Sequence, residues 1–209
     1  VAFDVLDYAL LSAPGAPLKQ ALLDAGIGKD IYGDYSDGVL QPYFSIIAKG
    51  ARTSQKEEFV SIIRNCLQDI VKNGVDRKAI LAGINYMEFR YREADFGQFP
   101  KGLMYGLDIM GSWLYDDANA FSQVKLLEIY DKLKIAVNEG YFENLIQKWL
   151  LDNTHGAILT LVPKRGLAAQ REKELADRLE AYRSSLSDEQ LEEMVRKTKA
   201  LEAYQESEE

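Results

Sequence analysis

Apolar positions between residues 54 and 95 recur at helical spacing. Phe59, Ile62, Ile63, Cys66, Leu67, Ile70 and Val71 share one face of a predicted helix. Ser54-Gln-Lys-Glu57 ahead of them has the pattern of a capping box, in which side chains and exposed backbone N–H groups satisfy one another. Gly74 stands where a left-handed cap belongs. Asp76 caps a second long helix that turns Ile80, Ile84, Met87 and Tyr91 inward and ends near Asp95. Upstream, residues 3–25 read as two short helices broken at Ser12-Ala-Pro-Gly-Ala-Pro17. Ile31, Gly33 and Tyr35 alternate with charged or small residues up to an Asp37-Gly38 turn, and Tyr43-Phe-Ser-Ile-Ile-Ala-Lys49 reads as a strand able to pair antiparallel with that run. Downstream the pattern predicts helices over 103–114, 124–137 and 141–151. A further strand follows at Ala157-Ile-Leu-Thr-Leu-Val162, ended by Pro163.

At Lys164 the character of the chain changes. Beyond it Lys, Arg, Glu, Asp, Ala and Leu dominate, and no glycine follows Gly166. Ser187-Asp-Glu-Gln190 is a second capping-box pattern, so this stretch is predicted to be two helices meeting near residues 184–187. Leu191, Met194, Val195, Thr198 and Leu201 form a narrow apolar stripe on the second helix, and a hairpin of this kind needs a neighbour to lie against. The boundary is drawn so that residues 1–163 form an α/β domain and residues 164–209 a charged helical hairpin.

Composition narrows the function. The 209 residues are 47% hydrophobic with a formal net charge of −8, ordinary for a soluble domain and opposed to a nucleic-acid surface. Glu202, Glu206, Glu208 and Glu209 concentrate acid at the end of the chain, where a solvated helix terminus is expected to fray. Cys66 is the only cysteine, which excludes an internal disulfide and a thiolate metal cage and fits a reducing compartment. No apolar run reaches the ~20 residues that span a bilayer, so no membrane partner is expected. The chain opens Val-Ala-Phe-Asp without methionine, and an excised fragment or processed product is expected.

Candidate chemistry is sparse. A catalytic zinc site takes about three protein ligands, usually including two or more His, and His155 is the only histidine. In Asp152-Asn-Thr-His-Gly156 it reads either as a base or ligand or as a polar residue closing a turn. Asp30, Asp34 and Asp37 lack the glutamate that closes a calcium loop. Gly102, Gly106 and Gly111 are too widely spaced for a phosphate loop and are expected to let helices approach closely. Among Glu88, Arg90, Arg92 and Glu93, an arginine could hold a peptide carboxylate; the alternative is an i,i+4 pairing of Glu88 with Arg92 on a solvated face. Trp113, Trp149, Tyr105, Tyr115 and Tyr141 are expected in the core. No catalytic residue and no metal ligand is assigned, and substrate-binding residues are left open.

Several segments resemble, in order, the presequence-protease branch of the pitrilysin/insulinase zinc metallopeptidases. Phe96 and Phe99 bracket Gly97 ahead of Pro100, after Glu88-Phe-Arg-Tyr-Arg-Glu93 and before Gly102. Ala16-Pro-Leu-Lys-Gln-Ala-Leu-Leu-Asp-Ala-Gly26 and Gln41-Pro-Tyr-Phe-Ser-Ile-Ile-Ala-Lys-Gly50 precede them. Gly111-Ser-Trp-Leu-Tyr-Asp116, Leu150-Leu-Asp-Asn-Thr-His-Gly156 and Thr160-Leu-Val-Pro163 continue the series. The likeness covers most of residues 8–163, and the charged hairpin fits it.

That resemblance implies an α/β (α+β) fold, with an antiparallel-rich sheet and helices on one side, followed by the hairpin. It implies the second, catalytically silent domain of a four-domain clamshell, forming chamber wall, plus the start of the linker between halves. The family's His-x-x-Glu-His zinc helix has no counterpart here, and neither do the Arg and Tyr supplied by the far half. Zinc is then expected in the parent enzyme and no cofactor in this chain. The implied partners are the remaining domains and an unstructured peptide, in the cytoplasm if the source is bacterial. The alternative is a freestanding, non-catalytic protein-interaction domain of the same fold. A carboxylate-dependent hydrolase is disfavoured, because no pair of acids in divergent environments is identifiable.

Overall fold

The computed structural model describes residues 1–94 and 96–207; Asp95, Glu208 and Glu209, and the helix end and frayed acids expected there, lie outside them. Strands β1 (Asp30–Ser36) and β2 (Tyr43–Lys49) pair antiparallel, with Asp30 opposite Lys49 and Ser36 opposite Tyr43, and are joined by the loop 37–42 rather than by a tight turn at Asp37-Gly38. This register puts Ile31, Gly33 and Tyr35 on the same face as Ala48, Ile46 and Phe44. Helix α1 (Ala2–Asp7) covers that face, with Phe3 stacked on Tyr35 at 5.1 Å and tilted against Phe44. Tyr32, Tyr43 and Ile47, on the opposite face, remain exposed. The fold is α+β with an antiparallel sheet, as the resemblance implied.

A π-turn (Tyr8–Ser12) continues α1, closed by the Ala13 N–H donating to the Tyr8 carbonyl at 2.7 Å. Helix α2 (Pro17–Asp24) follows, with proline at its first position, where no N–H is needed. The core is built here: Val5, Leu6, Leu11, Leu18, Leu22, Ile27 and Ile31 are fully buried. Each such side chain contributes about 1.5–3 kcal/mol of burial. Two glycines make it possible. A Cβ on Gly33 would stand 2.0 Å from the Asp7 carboxylate, and one on Gly83 would stand 2.9 Å from the Tyr8 ring.

Helix α3 (Lys56–Asn73) carries the predicted apolar face, with Leu67 buried and the others half-buried against the core. Its start differs from expectation. A 3₁₀ turn (Thr53–Gln55) places Ser54 inside the helical spiral rather than at its cap. Gln55 replaces the expected box: its Oε1 accepts from the Arg52 N–H at 3.1 Å, and its Nε2 donates to the Gly26 carbonyl at 3.1 Å. Gly74 ends α3 with positive φ, but its ψ of 152° is extended rather than left-handed helical. Asp76 caps α4 (Arg77–Glu93) as expected, accepting from Lys78 and Ala79. Ala94 closes α4 in the left-handed region, at φ 48°.

Helices α5 (Lys101–Trp113), α6 (Leu127–Ala136) and α7 (Tyr141–Ile146) follow, and a second π-turn (Gln147–Leu151) extends α7. Phe142 and Ile146 are fully buried, and the Val75 N–H donates to Glu143 at 3.0 Å. The aromatic centre expected to be core is not. Trp113, Trp149, Tyr105, Tyr115 and Tyr141 are all exposed. Tyr105 and Trp113 lie on α5, which buries no residue among those described. On the same helix Gly102, Gly106 and Gly111 face open space and permit no close helix approach. Residues 157–162 form no strand: they have extended composition but no paired neighbour, and their large side chains are exposed.

The chain divides into two compact units, Val1–Thr160 and Leu161–Glu209. The second contains α8 (Leu167–Ser185) and α9 (Asp188–Glu206). Ser187 and Gln190 form the predicted reciprocal box, at 2.9 and 3.3 Å. No described residue of either helix is buried.

Candidate functional site

The site with most chemical content lies between α4, α5 and the loop before α6. A cleft of about 620 Å³ is lined by Tyr91, Arg92, Tyr105, Ile109, Phe121, Val124 and Leu127. Tyr91 fixes its floor, donating to the Val124 carbonyl at 2.6 Å and accepting from the Leu126 N–H at 3.3 Å. Ser112 ties α5 to the same loop, donating to the Ala120 carbonyl at 2.8 Å. Phe96 meets Tyr105 edge-on at 5.6 Å. The aromatic pair around Gly97 is thus divided: Phe96 packs beside the cleft and Phe99 is exposed.

Beside the cleft stands an ion triad. Arg92 donates from Nε and Nη2 to Glu88 Oε1, at 2.8 and 2.6 Å, and Lys134 of α6 bonds the other oxygen. The pairing of Glu88 with Arg92 is therefore present, with Glu88 only 8% exposed and the Arg92 side chain 55% exposed. The bond from Lys134, then that from Arg92, holds the Glu88 carboxyl below its usual range despite burial. Burial pushes the nearby Tyr130 hydroxyl up to about 12. Arg90 and Glu93 do not join the triad; Arg90 lies over the Tyr86 ring at 5.8 Å. Lys134 and Phe121 were not foreseen. Lys134 is 46 residues from Glu88 with no local pattern linking them, and Phe121 sits in a turn-rich segment without periodicity.

His155 is exposed, and its turn is held by the Asn153 side chain accepting from the His155 N–H at 2.9 Å. Asp30 pairs with Lys19 at 3.6 Å. Among the described residues no three His, Cys, Asp or Glu side chains converge as a metal site. A single histidine does not fit the ligand set of an ordinary catalytic zinc. Burial, then Asp69, raises the Cys66 thiol, so it is poorly suited to be a nucleophile. What the cleft can do is seat an apolar or aromatic side chain beside a fixed positive charge.

Comparison with known proteins identifies relatives. A family described as associated with the peptidases of M16 subfamily C matches residues 161–209. "Protein HypA" of Clostridium perfringens is 38% identical over 98% of this chain and 21% of its own length. "Presequence protease 1, chloroplastic/mitochondrial" of Arabidopsis thaliana is 32% identical over 99% of this chain and 20% of its own length. "Presequence protease, mitochondrial" of Schizosaccharomyces pombe is 24% identical over 97% and 20%, respectively. The chain spans about a fifth of the length of the curated relatives it matches.

Proposed function

Because this chain belongs to the presequence-protease branch of the M16 metallopeptidases, we propose that it is a non-catalytic section of a zinc-dependent, oligopeptide-degrading peptidase. Residues 1–163 form wall of the peptide chamber, and residues 164–209 begin the linker between the halves. The observation that supports this most is the match of nearly the whole chain to a fifth of relatives named as presequence proteases. One histidine cannot supply the ligands of a catalytic zinc, so the metal belongs to another part of the polypeptide. The exposed aromatic face of α5 and the cleft beside Arg92 are suited to an unstructured peptide, which offers apolar side chains and a carboxylate. No described helix is long and apolar enough to cross a membrane, and the lone half-buried Cys66 suits a reducing compartment, cytoplasmic in a bacterium.

The test is metal analysis and peptide cleavage on two proteins, this chain and the full-length polypeptide. The chain alone is expected to hold no stoichiometric zinc and to cleave an unstructured peptide no faster than background, whereas the full-length polypeptide is expected to hold zinc and to cleave the peptide. One tightly held zinc per chain in the 209-residue protein would overturn the proposal. So would a gene that encodes this chain alone.

A further inference from the structure

The ion pair of Arg92 uses only part of its guanidinium. Nε and Nη2 both donate to one oxygen of Glu88, at 2.8 and 2.6 Å, which occupies a single edge of the plane. The other edge, formed by Nη1 and the second Nη2 hydrogen, meets no acceptor among the described residues. Glu88 is also held by Lys134, which in turn approaches the exposed Asp131 at 3.8 Å, so Arg92 is not its only counter-charge. The Arg92 side chain is more than half exposed and lines the cleft of about 620 Å³. Among the described residues of that lining, it alone carries a charge. Tyr105 and Ile109 of α5, with Phe121 and Leu127, give the cleft apolar walls, and the Phe121 ring is left open to solvent.

We propose that this cleft holds the C-terminal residue of a peptide, with its carboxylate on the open edge of Arg92 and an apolar side chain against Tyr105, Phe121 and Leu127. This rests on the reading of an unstructured peptide as the substrate. Charge complementarity selects the occupant. A carboxylate matches the planar guanidinium fork with two parallel N–H···O bonds, which a neutral amide cannot do. The apolar walls favour an anion that also brings an apolar group. In a peptide, a carboxylate and an apolar side chain stem from one Cα only at the C-terminus. An internal Asp or Glu brings its charge without the apolar group. The bond to Glu88 fixes the guanidinium before a ligand arrives, so less side-chain freedom is lost on binding. Arg92 thus selects a free chain end over a blocked one, and the walls select a large apolar last residue over a small one.

The experiment is fluorescence anisotropy at low ionic strength, with this chain and N-terminally labelled peptides of equal length. One ends in Phe with a free carboxylate, one in Phe amide and one in Ala with a free carboxylate; a last, amidated peptide carries an internal Phe-Glu pair. The free Phe end is expected to bind on the order of tenfold more tightly than each of the others. Equal affinity for acid and amide overturns the proposal, as does binding of none of them. Equal affinity for the internal pair also overturns it, since a side-chain carboxylate is then the ligand. Arg92→Gln is expected to erase the preference for acid over amide, and Arg90→Gln, outside the triad, to keep it. A preference that survives Arg92→Gln puts the carboxylate elsewhere and overturns the proposal. Phe121→Ala, which leaves the triad intact, gives a second readout: it should erase the preference for Phe over Ala, and an unchanged preference overturns the proposal. None of these outcomes touches the peptidase reading, which falls with zinc held by this chain or with a gene that encodes this chain alone.

Discussion

Helices α4 and α5 are consecutive and both rich in apolar residues, yet only one is part of the core. α4 has six charged side chains in 17 residues and buries Ile80, Gly83, Ile84 and Glu88. α5 has two charged side chains in 13 residues and buries none among those described. Apolar content alone would reverse the two. What separates them is their neighbours: α4 lies against α1 and the first π-turn, and Gly83 lets Tyr8 come close. α5 touches mainly short turns before α6. Burial is decided by what an element packs against, not by how apolar the element is.

Substitutions can break the contrast. The largest effect is expected at buried aromatics: Phe142→Ala should cost about 3–5 kcal/mol in denaturant unfolding. Trp113→Ala on the open face should change stability by less than about 0.5 kcal/mol. Equal losses would show that α5 is packed after all. A sharper test uses one chemical change with two signs. Gly83→Ala should destabilise by about 1–3 kcal/mol, because its methyl meets the Tyr8 ring. Gly106→Ala should stabilise by about 0.5–1 kcal/mol, because it meets nothing and favours helix.

Two carboxylates extend the comparison to pH. Glu88 is held below its usual range by Lys134 and Arg92, so its contribution is full above the ordinary carboxylate value and is lost as pH falls. Asp7 is raised by burial, against a weaker opposing bond from Ser12, and Asp34 and Asp4 add to the rise. Its contribution is therefore full below the ordinary value and is lost as pH rises. At pH 7, Glu88→Gln should lower stability by about 1 kcal/mol, and Asp7→Asn should raise it by about 0.5–1 kcal/mol. Both differences should shrink as the pH is taken below about 4, the ordinary carboxylate range, in thermal melts. Opposite signs to these would mean that the two environments have been misassigned.

Much of the fold is visible in local pattern. The cap at Asp76 and the box at Ser187 depend on residues within a few positions, and each forms as read; the β1–β2 pairing also forms, but through the loop 37–42 rather than a tight Asp37-Gly38 turn. Features requiring distant partners were hidden. The local pattern puts the cap at Ser54, but Gln55 takes over the box, bonding the Arg52 N–H and the Gly26 carbonyl 29 residues away. The need for glycine at 33 comes from the Asp7 carboxylate. At the candidate cleft, Tyr91 and Arg92 lie on a helix that periodicity finds, whereas Phe121 and Lys134 arrive through tertiary packing alone. The run 157–162 has strand composition without a strand, because a strand is a property of two segments.

The π-turn at Tyr8–Ser12 has a consequence for how this unit tolerates change in chain length. Its i→i+5 closure holds one residue more than an α-turn would. Ala9, Leu10 and Leu11, consecutive in the chain, are all buried there. Removing one residue from the turn would let ordinary α geometry run through, with composition almost unchanged. The turn would still close a full circle with one residue fewer, so Val5, Leu6 and Phe3 would keep their facing and only the packing of Ala9, Leu10 and Leu11 would have to readjust. A one-residue deletion within α2, by contrast, would turn every residue before it by about 100° relative to those after it. The extra residue acts as slack held within one turn, so a deletion here should do less damage than the same deletion in α2.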